Sequence, residues 1–142
     1  MEEIFGTDPL LSKVGEVLPQ DAFKDLKVVC IYFSMHNCKP CQEFTPIFAE
    51  LYNEFNSEQK QFEVVFVSGD KTQEEFNKYY DVMPWLALPR ADKRLASIAK
   101  KFEVKGVPRL VVLKPDGTLI DNNAVKKVTE EGPGAIEAYL SA

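Results

Sequence analysis

The chain is poor in cysteine, has a single histidine and a single tryptophan, and carries no excess of positive charge. Three cysteines in 142 residues are too few and too unevenly placed for the disulfide framework of a small secreted protein. With 17 basic against 22 acidic residues, a net charge of −5 and no basic run, nothing is present to neutralise phosphates, which argues against nucleic acid as a general partner. No apolar run approaches the roughly 20 residues needed to cross a bilayer, so no membrane association is expected. The start, Met1-Glu2-Glu3-Ile4-Phe5, lacks the basic residues and apolar stretch of a signal peptide. The resulting expectation is a cytoplasmic protein, a nuclear location being compatible as well. Length and an ordinary 45% of hydrophobic residues suit a single domain over 1–142 with its own core. No linker, repeat or low-complexity tract divides it.

What is present is concentrated at Cys38-Lys39-Pro40-Cys41. This motif follows the apolar run Val28-Val29-Cys30-Ile31-Tyr32-Phe33 and leads into a helical pattern from about Lys39. A helix N-terminus carries partial positive charge and unpaired N–H groups, so a sulfur placed there is stabilised as the thiolate. The thiolate is the form that attacks a disulfide. In a tight turn the second sulfur can reach the first and displace a mixed-disulfide partner. The third thiol, Cys30, lies inside the apolar run and reads as a small buried hydrophobe. Zinc takes four ligands, and no second C-x-x-C or C-x-x-H pair accompanies the motif. No metal and no other cofactor are expected.

The rest of the chain alternates strand and helix signals. Residues 1–26 read as an irregular lead-in with a short hairpin around Val14–Val17 and a helical turn at Pro19–Phe23. Lys27–Phe33 is apolar on both faces, as a central strand covered by helices should be. The next helix sets Phe44, Ile47, Phe48, Leu51, Tyr52 and Phe55 at helical spacing, with Pro46 expected to kink it. Phe62–Ser68 is a second central strand. Thr72 to Glu75 has capping-box spacing before a helix bearing Phe76, Tyr79 and Tyr80. Met83–Pro89 reads as an apolar loop between prolines, followed by a helix with Leu95, Ile98, Ala99 and Phe102 on one stripe. Strands at Arg109–Lys114 and Thr118–Asp121 flank the turn Pro115-Asp116-Gly117. A last helix spans about Pro133–Leu140. Strand–helix–strand, then a hairpin and a closing helix, describe an α/β protein: a mixed central sheet with helices on both faces, of the thioredoxin class.

Five segments carry a more specific resemblance. They are Tyr32-Phe33-Ser34; Cys38-x-Pro40-Cys41-x-x-Phe44-Thr45-Pro46; Phe62–Ser68; Met83-Pro84-Trp85-Leu86-Ala87-Leu88-Pro89; and Phe102-x-Val104-x-Gly106-Val107-Pro108. Over about residues 27–121 the chain resembles the nucleoredoxin and tryparedoxin branch of the thioredoxin superfamily. The resemblance implies a thioredoxin-like fold and reversible reduction of protein disulfides by Cys38 and Cys41. It further implies a cis peptide between Val107 and Pro108, facing the thiols, where a substrate backbone could pair. Trp85 is expected in an apolar wall beside the substrate. Disulfide-containing proteins and a thiol or dithiol electron donor are the implied partners of a monomer.

Several positions depart from the family pattern. Asn37 stands where the usual motif, Trp-Cys-Pro-Pro-Cys, has its tryptophan, which removes a flat surface beside the nucleophile. Lys39 adds a cation between the cysteines, favouring the thiolate, and Pro40 limits the turn. His36 either tunes the site when protonated or is a solvated bystander. Arg109 either adds positive potential near the sulfurs, and with it a preference for acidic partners, or is a strand-edge arginine paired to a carboxylate. Tyr32 occupies the position, six residues before Cys38, where thioredoxins place a buried acid. Gly69 precedes Asp70 where tryparedoxins have a tryptophan, which points away from their specialised dithiol donor. The expected function is a thiol–disulfide oxidoreductase, with Cys38 attacking and Cys41 resolving. The alternative is a redox-gated protein-binding module with little turnover.

Overall fold

The apolar runs Val28–Phe33 and Val64–Val67 lie side by side at the centre of a mixed sheet. A computed structural model describes residues 1–142. In chain order the elements are α1 (Glu2–Phe5), β1 (Leu10–Ser12), β2 (Gly15–Val17), α2 (Pro19–Ala22), β3 (Val28–Ser34), α3 (Lys39–Phe55), β4 (Phe62–Ser68), α4 (Gln73–Tyr80), β5 (Leu86–Ala87), α5 (Arg94–Lys101), β6 (Arg109–Leu113), β7 (Leu119–Asp121), α6 (Val125–Glu131) and α7 (Pro133–Leu140). The seven strands form one sheet in the order β2-β1-β5-β4-β3-β6-β7. β3, β4 and β5 are mutually parallel, while β6 and β7 on one side and β1 and β2 on the other run antiparallel to their neighbours. This is a thioredoxin-like α/β fold.

Alternation along β3 divides the core in two. Val28, Cys30 and Tyr32 face one cluster, with Phe44, Phe48 and Leu51 of α3, Phe76 and Tyr79 of α4, and Val128 and Ile136 of α6 and α7. Val29, Ile31 and Phe33 face the other, with Ile4 and Phe5 of α1, Phe23, and Ile98 of α5. Every residue of β3 and β4 is buried, because helices cover both faces, and the polar side chains among them, Ser34, Glu63 and Ser68, are each hydrogen-bonded. Each fully buried large side chain contributes about 1.5–3 kcal/mol over its exposed state. No helix is long and apolar enough to cross a membrane.

Local chemistry matches the sequence at several termini. Thr72 caps α4, its hydroxyl accepting from the Glu75 N–H at 3.1 Å. Gly117 takes φ +95° in the β6–β7 turn, a region that only glycine enters cheaply. α3 is one continuous helix through Pro46. Two expectations change and one helix is added. Residues 1–26 are more ordered than an irregular lead-in: α1 packs into the core and the hairpin of β1 and β2 forms a sheet edge. The Met83–Pro89 segment contains strand β5, and the side chains in and beside it alternate between the two clusters, Trp85 and Ala87 into one and Leu86 and Leu88 into the other. Residues 125–131 form α6, which buries only Val128 and so gives no apolar stripe to read.

The lead-in is held by a buried arginine. Arg94, at the start of α5, donates to the carbonyls of Phe5, Asp8 and Pro9 at 2.7–2.9 Å and pairs with Asp92 at 2.9 Å. Those bonds hold the Asp92 carboxyl below the usual carboxylate range.

Candidate active site

The cysteine turn begins where β3 ends, and the short loop between them is pinned from two sides. The His36 N–H donates to Asp70 Oδ1 at 2.7 Å, while Asp70 Oδ2 accepts the Ser68 hydroxyl at 2.6 Å. The Gly69 N–H donates to the Ser34 carbonyl at 2.9 Å, fixing the end of β4 against the end of β3. The Gln42 side chain donates to the His36 carbonyl from within α3. A mostly backbone loop, Met35-His36-Asn37, is thus set in one path before Cys38.

Cys38 is the N-cap of α3, in extended conformation, and its Sγ accepts from the Cys41 N–H at 3.3 Å. A side-chain acceptor at that position satisfies one of the helix's free N–H groups. Pro40 lies within the first turn, where its missing N–H has no helical partner to lose. The two sulfurs are joined as a disulfide across a Cα–Cα distance of 5.3 Å, within the range such a bridge requires. The pair is asymmetric. Cys38 is half-buried and its neighbours Asn37, Lys39 and Pro40 are exposed, whereas Cys41 has no exposed surface.

Behind Cys41 lies a chain of four buried hydroxyls. Ser34 Oγ and Tyr79 OH are 2.7 Å apart, Tyr79 OH and Thr45 Oγ1 2.7 Å, and Thr45 Oγ1 and Tyr32 OH 2.7 Å. The chain ends on the Cys41 carbonyl, 2.9 Å from Thr45 Oγ1 and 3.4 Å from Tyr32 OH. All four side chains belong to residues no more than 3% exposed. Burial pushes the Tyr32 hydroxyl well above the ordinary tyrosine value, so it stays protonated. Tyr32 thus fills the buried position before the motif with a neutral hydroxyl.

The Val107–Pro108 peptide is cis. Val107 packs against the cluster that holds Cys41 and that Cys38 also touches. It also lines a shallow apolar groove with Phe33, Met35, Val67, Leu95 and Val104. The His36 ring lies 5.7 Å from the ring of Tyr79. Trp85 is not part of a substrate-facing wall: it is fully buried among Tyr32, Phe48 and Tyr52, 5.1–5.8 Å between ring centroids. It immediately precedes β5 and belongs to the core cluster between the sheet and α3. Arg109 is committed elsewhere too. It donates to the carbonyls of Asn122 at 2.7 Å and Phe102 at 3.3 Å, tying two loops together, and it has no carboxylate partner. Cys30 is buried, and the loss of solvent, aided by the Glu63 charge, pushes its thiol far above the ordinary cysteine value.

Sequence reasoning passed over Ser34, Thr45, Tyr79 and Asp70 as site residues. The signal for Thr45 was a hydroxyl directly beside Phe44 on an otherwise apolar helix face. Tyr79 was read only as part of an apolar stripe, although a buried phenol needs a partner for its O–H.

The chain matches the family model described as Thioredoxin-like over residues 25–119. It is 41% identical to tryparedoxin of Trypanosoma brucei brucei over 132 residues, covering 92% of this chain and 90% of that protein. It is 44% identical over 109 residues to probable nucleoredoxin 1 of Arabidopsis thaliana, covering 77% of this chain and 19% of that protein. The chain therefore spans about a fifth of the length of that nucleoredoxin. Among solved structures, native tryparedoxin I from Crithidia fasciculata superposes with a TM-score of 0.84 at 32% identity, covering 94% of this chain and 92% of that one.

Proposed function

The chain belongs to the thioredoxin-like family of dithiol oxidoreductases, on its tryparedoxin and nucleoredoxin side, and from that premise we propose that it reduces disulfides in proteins through Cys38 and Cys41. The observation that carries the reading is the asymmetry of the pair: one sulfur at an accessible helix N-cap, the other buried behind it within bonding reach. In the dithiol form the N-terminal end of α3 favours negative charge on Cys38.

The Cys38 thiolate attacks one sulfur of a substrate disulfide, forming a mixed disulfide and releasing the first substrate thiolate. Cys41 then attacks Cys38 Sγ, closing the internal disulfide and releasing the second substrate thiol, its own proton leaving as the departing sulfur gains one. Two electrons pass from the protein to the substrate. A thiol or dithiol donor returns them by the same exchange in reverse. Val107, half-buried beside the same cluster, is the backbone position on which a substrate segment lies, and the exposed Lys39 faces incoming sulfur. The single domain, the monomeric state and a reducing, cytoplasmic setting belong to the same proposal.

The test is turnover. With insulin as substrate and dithiothreitol as donor, the protein should reduce many equivalents of disulfide per molecule. A single stoichiometric reduction followed by no further cycles would overturn the enzymatic reading and leave a redox-gated binding module.

A further inference from the structure

The four hydroxyls of Ser34, Tyr79, Thr45 and Tyr32 have no part in the exchange reaction as written, yet they converge on the backbone of the resolving cysteine. They come from three elements: Ser34 and Tyr32 from β3, Thr45 from α3 and Tyr79 from α4. All four protons are used when Ser34 donates to Tyr79, Tyr79 and Tyr32 donate to Thr45, and Thr45 donates to the Cys41 carbonyl at 2.9 Å. A threonine oxygen has two lone pairs, so Thr45 can accept both tyrosines. The network then leaves no donor unpaired, and its single outlet is the Cys41 peptide. Buried networks of this kind hold one geometry, because any displacement strands a hydroxyl in a medium that cannot solvate it.

We propose that Thr45 and Tyr32, braced by Tyr79 and Ser34, are positioning residues that clamp the Cys41 carbonyl and so hold the first turn of α3 in register with β3. The loop leading to Cys38 hangs from β3, while Cys41 rides on α3. The clamp therefore fixes the sulfur of Cys41 relative to that of Cys38 in the reduced protein, where no covalent bond does so. Its effect is on resolution, since attack by Cys38 depends on the exposed side of the turn. The proposal rests on the assignment of Cys41 as the resolving thiol.

The reduced protein mixed with 5,5′-dithiobis(2-nitrobenzoate) separates the two steps. The first thionitrobenzoate released reports attack by Cys38, and the second reports displacement by Cys41 as the internal disulfide closes. In Thr45→Val the second phase should slow by about tenfold while the first stays within about twofold of wild type. The equilibrium constant for the internal disulfide against glutathione should fall in the same direction; a tenfold change corresponds to about 30 mV. Thr45→Ser, which restores the hydroxyl, should recover both. Tyr32→Phe keeps Thr45 on the carbonyl and supplies the readout if Thr45→Val does not fold, with a second phase about threefold slower. A folded variant with a lower unfolding midpoint but both phases and the potential unchanged makes the network structural only and overturns the proposal. A wild-type protein that releases no second thionitrobenzoate overturns the assignment of Cys41 itself, whatever the variants do.

Discussion

Cys38 and Cys41 stand three residues apart in sequence, yet their surroundings are of opposite kind. Around Cys38 are exposed Asn37, Lys39 and Pro40, a free helix end, and a loop held by backbone bonds. Around Cys41 are α3, the aromatic cluster of Tyr32 and Phe44, and four hydroxyls with no exposed member. The outer sulfur is in reach of a partner, and the inner one is in reach only of the outer. In the proposed exchange, the division of labour between attack and resolution follows from that difference in access rather than from any difference in the residues themselves. Cys30 is the control within the same molecule: a buried thiol on β3 with no helix end and no neighbouring sulfur.

The largest effect comes from breaking the pair one side at a time. Cys38→Ser should abolish disulfide reductase turnover, because the buried thiol of Cys41 has no access to a substrate. Cys41→Ser should still attack, and accumulate as mixed disulfides that non-reducing gels reveal as higher-mass species cleared by dithiothreitol. Equal trapping by both variants would remove the distinction between the two sulfurs.

The second prediction sharpens the comparison with Cys30. Its thiol is pushed up by burial and lacks a path to solvent, so in the reduced native protein at pH 8 iodoacetamide should modify Cys38 at least about a thousandfold faster, Cys30 reacting only through opening of the fold. Mass spectrometry after timed quenching measures this directly. Modification of Cys30 at a rate near that of a free thiol would show the core of β3 to be open.

The third concerns the loop that delivers Cys38. Asp70→Ala removes the acceptor of the His36 N–H and of the Ser68 hydroxyl. Two charge-assisted bonds at a buried carboxylate suggest a loss of about 2 kcal/mol. Urea unfolding should show a lower midpoint with an unchanged slope, and the first phase of disulfide exchange should slow as the loop loosens, while the second does not. The contrast with Thr45→Val, which slows the second phase alone, is what separates the outer side of the turn from the inner.

Legibility from sequence divides along the same line. β3, β4 and the first half of α3 are readable because their burial writes itself as mostly apolar runs or a wide stripe, and the C-x-x-C motif sits at the junction of β3 and α3. Trp85 was misplaced because a tryptophan between prolines reads as a loop side chain. Only the pairing of β5 with β4, two residues long, turns it inward. Arg109 and Arg94 bond to backbone carbonyls supplied by distant or adjoining loops, and a carbonyl acceptor leaves no mark in the sequence. The hydroxyl chain was hidden for a similar reason. Its members run from Tyr32 to Tyr79, and each one alone passes for a core aromatic or an ordinary small polar residue.

The smallest effect, and the finest test of the outer environment, is Lys39→Gln. Lys39 is the first residue of α3 and is exposed. Its ammonium adds to the positive end of the helix when Cys38 is a thiolate, but water screens an exposed charge strongly. Removing it should therefore lower the rate of iodoacetamide modification of Cys38 near neutral pH by only about twofold, the scale of one exposed charge interaction. The difference should fade as salt is raised toward 1 M, where screening acts within about 3 Å. Resolution by Cys41, shielded by the helix turn and clamped from behind, should not change. A tenfold loss on removing this one cation, or a loss that high salt leaves intact, would mean that Cys38 is tuned by a specific contact with Lys39 and not by the end of the helix that carries it.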